Sequence, residues 1–215
     1  MFFQKDYILR MIEMVGEVMR RVGEMLDDLQ RFRLLDDACR QHCGMDLDAA
    51  RNLDIESLID LLAPQPRLMM AEILYIQAIQ TSLKDEERER LLYRSGRLLI
   101  SLRSESLLCE LRHHRLSECI EGAGELFSAR DRLDAAAFFM QADQFAKGED
   151  QLYEALESSS SIEHASFLDE SEALLKQCLT MPHDRLQAGG LPYDEVLESI
   201  RALSKRKEAH QNIIT

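Results

Sequence analysis

The chain has 215 residues, 46% of them hydrophobic and 30% charged, with no Trp, 9 Gly and 4 Pro. That length suits one ordinary domain, and a composition led by Leu, Met, Ala, Glu and Arg predicts an all-α fold, not disorder or a turn-rich β fold. A formal net charge of -13 speaks against nucleic-acid or anionic-membrane binding, because phosphate contacts need clustered Lys and Arg.

The first element is a long helix over about Lys5–Leu29, or one that bends on into Arg31–His42. Ile8, Met11, Val15, Val18, Val22, Met25, Leu29 and Phe32 keep an unbroken 3-4-3-4 spacing, the rhythm of a packed helix face. Ile12, Met19 and Leu26 widen that face into a stripe. The stripe from Ile8 to Leu29 is the candidate surface for a partner or for a second copy of the chain. Gly44 suits the helix stop.

Leu47 and Ala50 mark a short helical turn, and Asp54 can cap a helix in which Ile55, Leu58, Ile59, Leu61 and Leu62 point inward. Pro64 and Pro66 close that unit and make the best candidate hinge. Arg67–Gln80 is apolar nearly all round and belongs in the middle of a bundle. Ser82 and Asp85 resemble a capping box for a helix running to about Leu102. Further helices are expected from Ser106 through Leu116, over Ser117–Ser128 and over Asp131–Lys147, the last ended by Gly148, with Gln151–Leu156 helical. Ser158–Ser161 is a break, with Ser160 and Glu163 as another capping box. Pro182, Gly189 and Gly190 make a loop, the last helix starts near Pro192, and Gln211–Thr215 is expected to be disordered.

Successive helices with short breaks and no strand pair argue for stacked antiparallel helical hairpins. Ala123, Leu126, Ala135, Phe139 and Ala142 have the packing spacing of a tetratricopeptide repeat, although Cys119, Arg130, Arg132 and Lys147 stand at its usual Trp, Gly, Tyr and Pro positions. The expected architecture is one all-helical domain over 1–215. Residues 1–63 form an N-terminal segment and 67–215 a right-handed tetratricopeptide-like array.

The opening from Phe3 through Asp6, Tyr7, Ile8, Arg10, Ile12 and Glu13 resembles the start of a family of uncharacterised bacterial helical proteins. Gly44, Asp46 and Leu47, followed by Leu53, Glu56, Leu58, Leu61 and Leu62, are similar to a second segment of it. Members are described as tetratricopeptide-like, without assigned activity. The resemblance implies a bacterial cytoplasmic protein with an α-hairpin fold, and no functional residues.

The five cysteines are odd in number and lack tight repeated spacing, Lys5 and Asp6 interrupt any apolar leader, and no run reaches the roughly 18 residues of a membrane span. A cytoplasmic protein with reduced thiols is expected. Cys39 and Cys43, one turn apart beside His42, read as packing cysteines because the Cys-x-x-Cys knuckle is missing. Glu110 and His113 have the spacing of a di-iron helix, but no second pair accompanies them. No phosphate-binding glycine loop, nucleophile elbow or zinc-protease helix occurs. Met11, Met14, Met19, Met25, Met69 and Met70 suit either core filling or an adaptable groove.

The function expected is non-catalytic protein or peptide binding, with no cofactor, metal, nucleic acid or membrane. The alternative is a small metal-binding or enzymatic bundle of ferritin type.

Overall fold

A computed structural model describes the backbone of residues 2–25, 27–105 and 109–214, and the side chains of residues 10, 13–25, 27–105 and 109–209. Among the described residues there are twelve α-helices, one short 3-10 turn and no strand. They form two compact units, Met1–Leu126 and Phe127–Thr215, called units 1 and 2.

Unit 1 opens with α1 (Phe2–Glu24) and α2 (Asp28–Cys43). The expected single helix through Leu29 is therefore interrupted, with Met25 and Asp27 outside either helix. The cause is local: Asp27 is extended and its carboxylate accepts the N–H of Leu29 at 3.1 Å, which starts a new helix. Gly44 ends α2 in the left-handed conformation, φ 73°, with its N–H given to Arg40. Two short helices follow, α3 (Leu47–Asn52) and α4 (Ile55–Leu61). Leu58 and Leu62 point inward as expected, but Leu61 is 66% exposed, because so short a helix has room for a narrow apolar edge only.

Pro64 and Pro66 sit inside the first turn of α5 (Pro64–Gln80), where their missing N–H groups are not needed. In α5 every residue from Leu68 to Ala78 is buried, and it packs against α1, α2 and α6 (Asp85–Ile100). The expected capping box of α6 does not form: Lys84 stands at its N-cap without a side-chain bond. The helix α7 (Cys109–Ala123) is continuous, packs on α6 and runs into a 3-10 turn at Gly124–Leu126. Ser106–Leu108, expected to begin it, lie outside the described residues.

Unit 2 contains α8 (Ala129–Gln141), α9 (Phe145–Ser158), α10 (His164–Cys178), α11 (His183–Ala188) and α12 (Tyr193–Ile214). Ser128 caps α8 in a reciprocal box with Asp131. The expected helix Asp131–Lys147 is broken at Ala142–Gln144, where Asp143 takes a positive φ of 59°. Gly148 is therefore no terminator. It lies within α9 at a close approach to α8, where a Cβ would stand 2.7 Å from Met140 Cγ and 3.1 Å from the Ala136 carbonyl.

Ser160 and Glu163 pair as expected, Oγ to Oε2 at 2.6 Å, on the turn before α10. The Pro182–Gly190 stretch, expected as loop, holds α11. With no Gly or Pro after Gly190 except Pro192, α12 continues as helix to Ile214, past the expected disorder at Gln211.

The five positions of the repeat signature divide between the units: Ala123 and Leu126 lie in unit 1, Ala135, Phe139 and Ala142 in unit 2. The helix that α8 packs on most extensively is α9.

Candidate functional site

The stripe runs along α1, which packs on α5 and α2. Val15 and Val22 are buried, Val18 and Met25 half-buried, and Leu29, carried over onto α2, is 55% exposed. The side chains of Ile8 and Met11 lie outside the described residues. The guanidinium of Arg31 ties the helix ends here. It donates to the Met25 carbonyl at 2.9 and 2.5 Å, to the Gln80 carbonyl at 2.7 Å and to Asp28 at 3.0 Å. Beside Gln80, Ile79 is 47% exposed. The end of α5 and the start of α2 thus each leave one large apolar side chain in water.

A second constellation was hidden in the apolar run of α5. Glu72 is 1% exposed, and its Oε2 accepts from Arg115 Nε of α7 at 3.2 Å, while Oε1 has no hydrogen-bond partner. Arg115 also donates to Glu118 at 2.9 Å and lies 4.2 Å from the centre of the Tyr75 ring, a cation–π contact. Burial pushes the Glu72 carboxyl up, with Arg115 opposing it. For Glu118 burial acts in the same direction, but the bond and charge of Arg115 outweigh it and hold the carboxyl below its usual range.

Nearby, burial also raises the Cys119 thiol, which leaves it protonated and a poor nucleophile. The network joins α5 to α7 through charge. It supplies no activated nucleophile with an adjacent base.

The remaining sequence candidates are placed as follows. Cys39 and Met70 are fully buried, Met69 nearly so, and Met14, Met19 and Cys43 half-buried. Glu110 is exposed and His113 half-buried. Among the described residues no three His, Cys, Asp or Glu side chains are grouped to hold a metal ion. In unit 2 a cavity of about 70 Å³ is lined by Met140, Phe145, Leu174, Cys178 and Met181 among others.

Arginine is the residue type whose role spacing did not reveal. Arg67 donates to the Ile59 and Leu62 carbonyls, each at 2.7 Å. Arg94 donates to those of Ala50 and Leu53 at 2.6 and 2.7 Å, and buried Arg112 to those of Leu102 and Glu105. These guanidinium groups serve carbonyls at or beyond helix ends. The only hint in the sequence is an Arg set within an apolar helix face.

Fold and interior define an all-helical protein with arginine and glutamate built into one of its cores, and no described helix is long and apolar enough to cross a membrane. The chain belongs to a family of unknown function (DUF6483), whose model matches residues 2–208. No curated protein and no solved structure is matched by the chain.

Proposed function

We propose that this is a non-catalytic, cytoplasmic bacterial protein that binds a protein or peptide through helix faces, its helices arranged as a tetratricopeptide-like array. The observation that carries the reading is the apolar end of unit 1. There the stripe that is buried at Val15 and Val22 comes out to exposed Leu29, with Ile79 equally open on α5. Water-exposed Leu and Ile beside a tied helix junction suit an apolar helix of a partner, or of a second copy. The close packing of consecutive helices, α5 with α6, α6 with α7 and α8 with α9, supports the hairpin part.

Light scattering on the full chain and on a Leu29→Glu/Ile79→Glu variant tests it. A concentration-dependent dimer in the parent and a folded monomer in the variant supports self-association at this end. Equal masses for both at every concentration sink it, and binding would then have to be sought elsewhere.

A further inference from the structure

Where α2 packs on α5, two facing pairs of residues bring sulfur together. Cys39 and Cys43 stand one turn apart on α2, on the face that meets α5. Cys39 Sγ lies 3.9 Å from Met70 Sδ on α5, and Cys43 Sγ donates to the Pro66 carbonyl, one turn earlier on α5, at 3.4 Å. Cys39 and Met70 are fully buried, whereas Cys43, at the last position of α2, keeps partial exposure, so the cluster can be reached from solvent.

We propose that Cys39, Cys43 and Met70 form a three-sulfur site for a soft monovalent metal ion, Cu(I) or its analogue Ag(I). Two thiols and a thioether are donors that favour Cu(I) over hard cations. Zinc needs a fourth donor to close a tetrahedron, and no third His, Cys, Asp or Glu joins the pair among the described residues. Metal–sulfur arms of about 2.3 Å set sulfur–sulfur edges of about 4 Å in a planar three-coordinate site. The Cys39–Met70 edge is 3.9 Å before any ion enters. The Pro66 carbonyl is placed to act as a weak extra oxygen donor.

With both cysteines engaged, one Cu(I) enters and two protons go to solvent. The site then carries one net negative charge, and no electron is transferred.

This site is independent of the proposed partner surface. Its test is an anaerobic titration of the full chain with Cu(I) against a coloured Cu(I) chelator, with X-ray absorption reading the donors. The expected result is one ion in a shell of three sulfurs. Loss of a residue that merely supports a ligand weakens metal binding by about 10–100-fold, so Cys43→Ser and Met70→Leu should each weaken it at least tenfold.

Both variants nearly conserve side-chain volume, and circular dichroism checks that each remains folded. Cys178→Ala is the control, because Cys178 Sγ lies 3.8 Å from Met140 Sδ in unit 2 with no second thiol described beside it. Its affinity should match the parent. The proposal is overturned if the parent holds no ion against the chelator, if neither Cys43→Ser nor Met70→Leu weakens binding, or if Cys178→Ala abolishes it.

Discussion

Unit 1 buries Arg94 and Arg112 and ties Arg31 and Arg67 to backbone carbonyls, while unit 2 fills its interior with apolar side chains such as Phe145, Leu152, Phe167 and Leu168. Both units contain helices of six or seven residues, which leave much of their backbone without internal partners. In unit 1 the carbonyls around α3 and α4 are served by guanidinium groups from α5 and α6. In unit 2 the turn after α11 is served by backbone N–H groups: Gly189 N–H bonds the Arg185 carbonyl, Leu191 N–H bonds that of Leu186, Ala146 N–H of α9 bonds that of Gly189, and Gly190 turns the chain at φ 81°. One problem is met by distant side chains in one unit and by backbone N–H groups in the other.

Removing the distant partner should have the largest effect. Arg94→Leu keeps an apolar stem but leaves the Ala50 and Leu53 carbonyls without their donor. At about 1–3 kcal/mol for each of the two groups left unsatisfied, unit 1 should lose about 2–6 kcal/mol. Denaturant unfolding reads the loss, and hydrogen exchange should quicken first in α3. An unchanged midpoint would mean that water replaces the guanidinium at no cost.

Unit 2 should break at its backbone instead. A Cβ at Gly189 would stand 2.3 Å from the Asp143 carbonyl and 2.4 Å from the Phe145 ring. Gly189→Ala should therefore cost about 1–3 kcal/mol through overpacking, read as a lower unfolding midpoint. Ser128→Ala, which removes the capping box of α8, should cost about 1 kcal/mol. Near-equal losses in these two would show that the turn relaxes around the added methyl.

The same contrast explains what could be read from the amino-acid order. Helices were legible because periodicity is local, and so were the Gly44 stop and the inward Leu58 and Leu62. Gly148 was misread as a stop because its reason is Met140 on a facing helix. The break at Asp143 sits in a run with no Gly or Pro to announce it. Glu72 went unnoticed among apolar neighbours, because its partner Arg115 is 43 residues away. The sulfur cluster needed Met70, 31 residues from Cys39, so the Cys39–Cys43 spacing alone pointed only to packing. For the stripe, Val15 and Val22 are buried and Leu29 exposed, a split set by the helix break at Asp27 that the unbroken heptad rhythm conceals.

The smallest effect is also the one that separates burial from pairing. Burial raises the Glu72 carboxyl above its ordinary value and Arg115 only partly offsets this. A carboxyl raised in the folded state contributes its stability while protonated, below the ordinary carboxylate range. That contribution fades as pH rises through the raised folded value. Glu72→Gln stays neutral throughout and keeps the shape, so its stability profile should be flatter across that window. By neutral pH it should have gained about 1 kcal/mol on the parent, the scale of one hydrogen-bonded polar group. Urea unfolding of both proteins at a series of pH values measures the difference. If the parent instead gains on the variant as pH rises, the attraction of Arg115 exceeds the cost of burying the Glu72 charge. The arginines of unit 1 would then stabilise the fold as ion-pair partners and not only as donors to carbonyls.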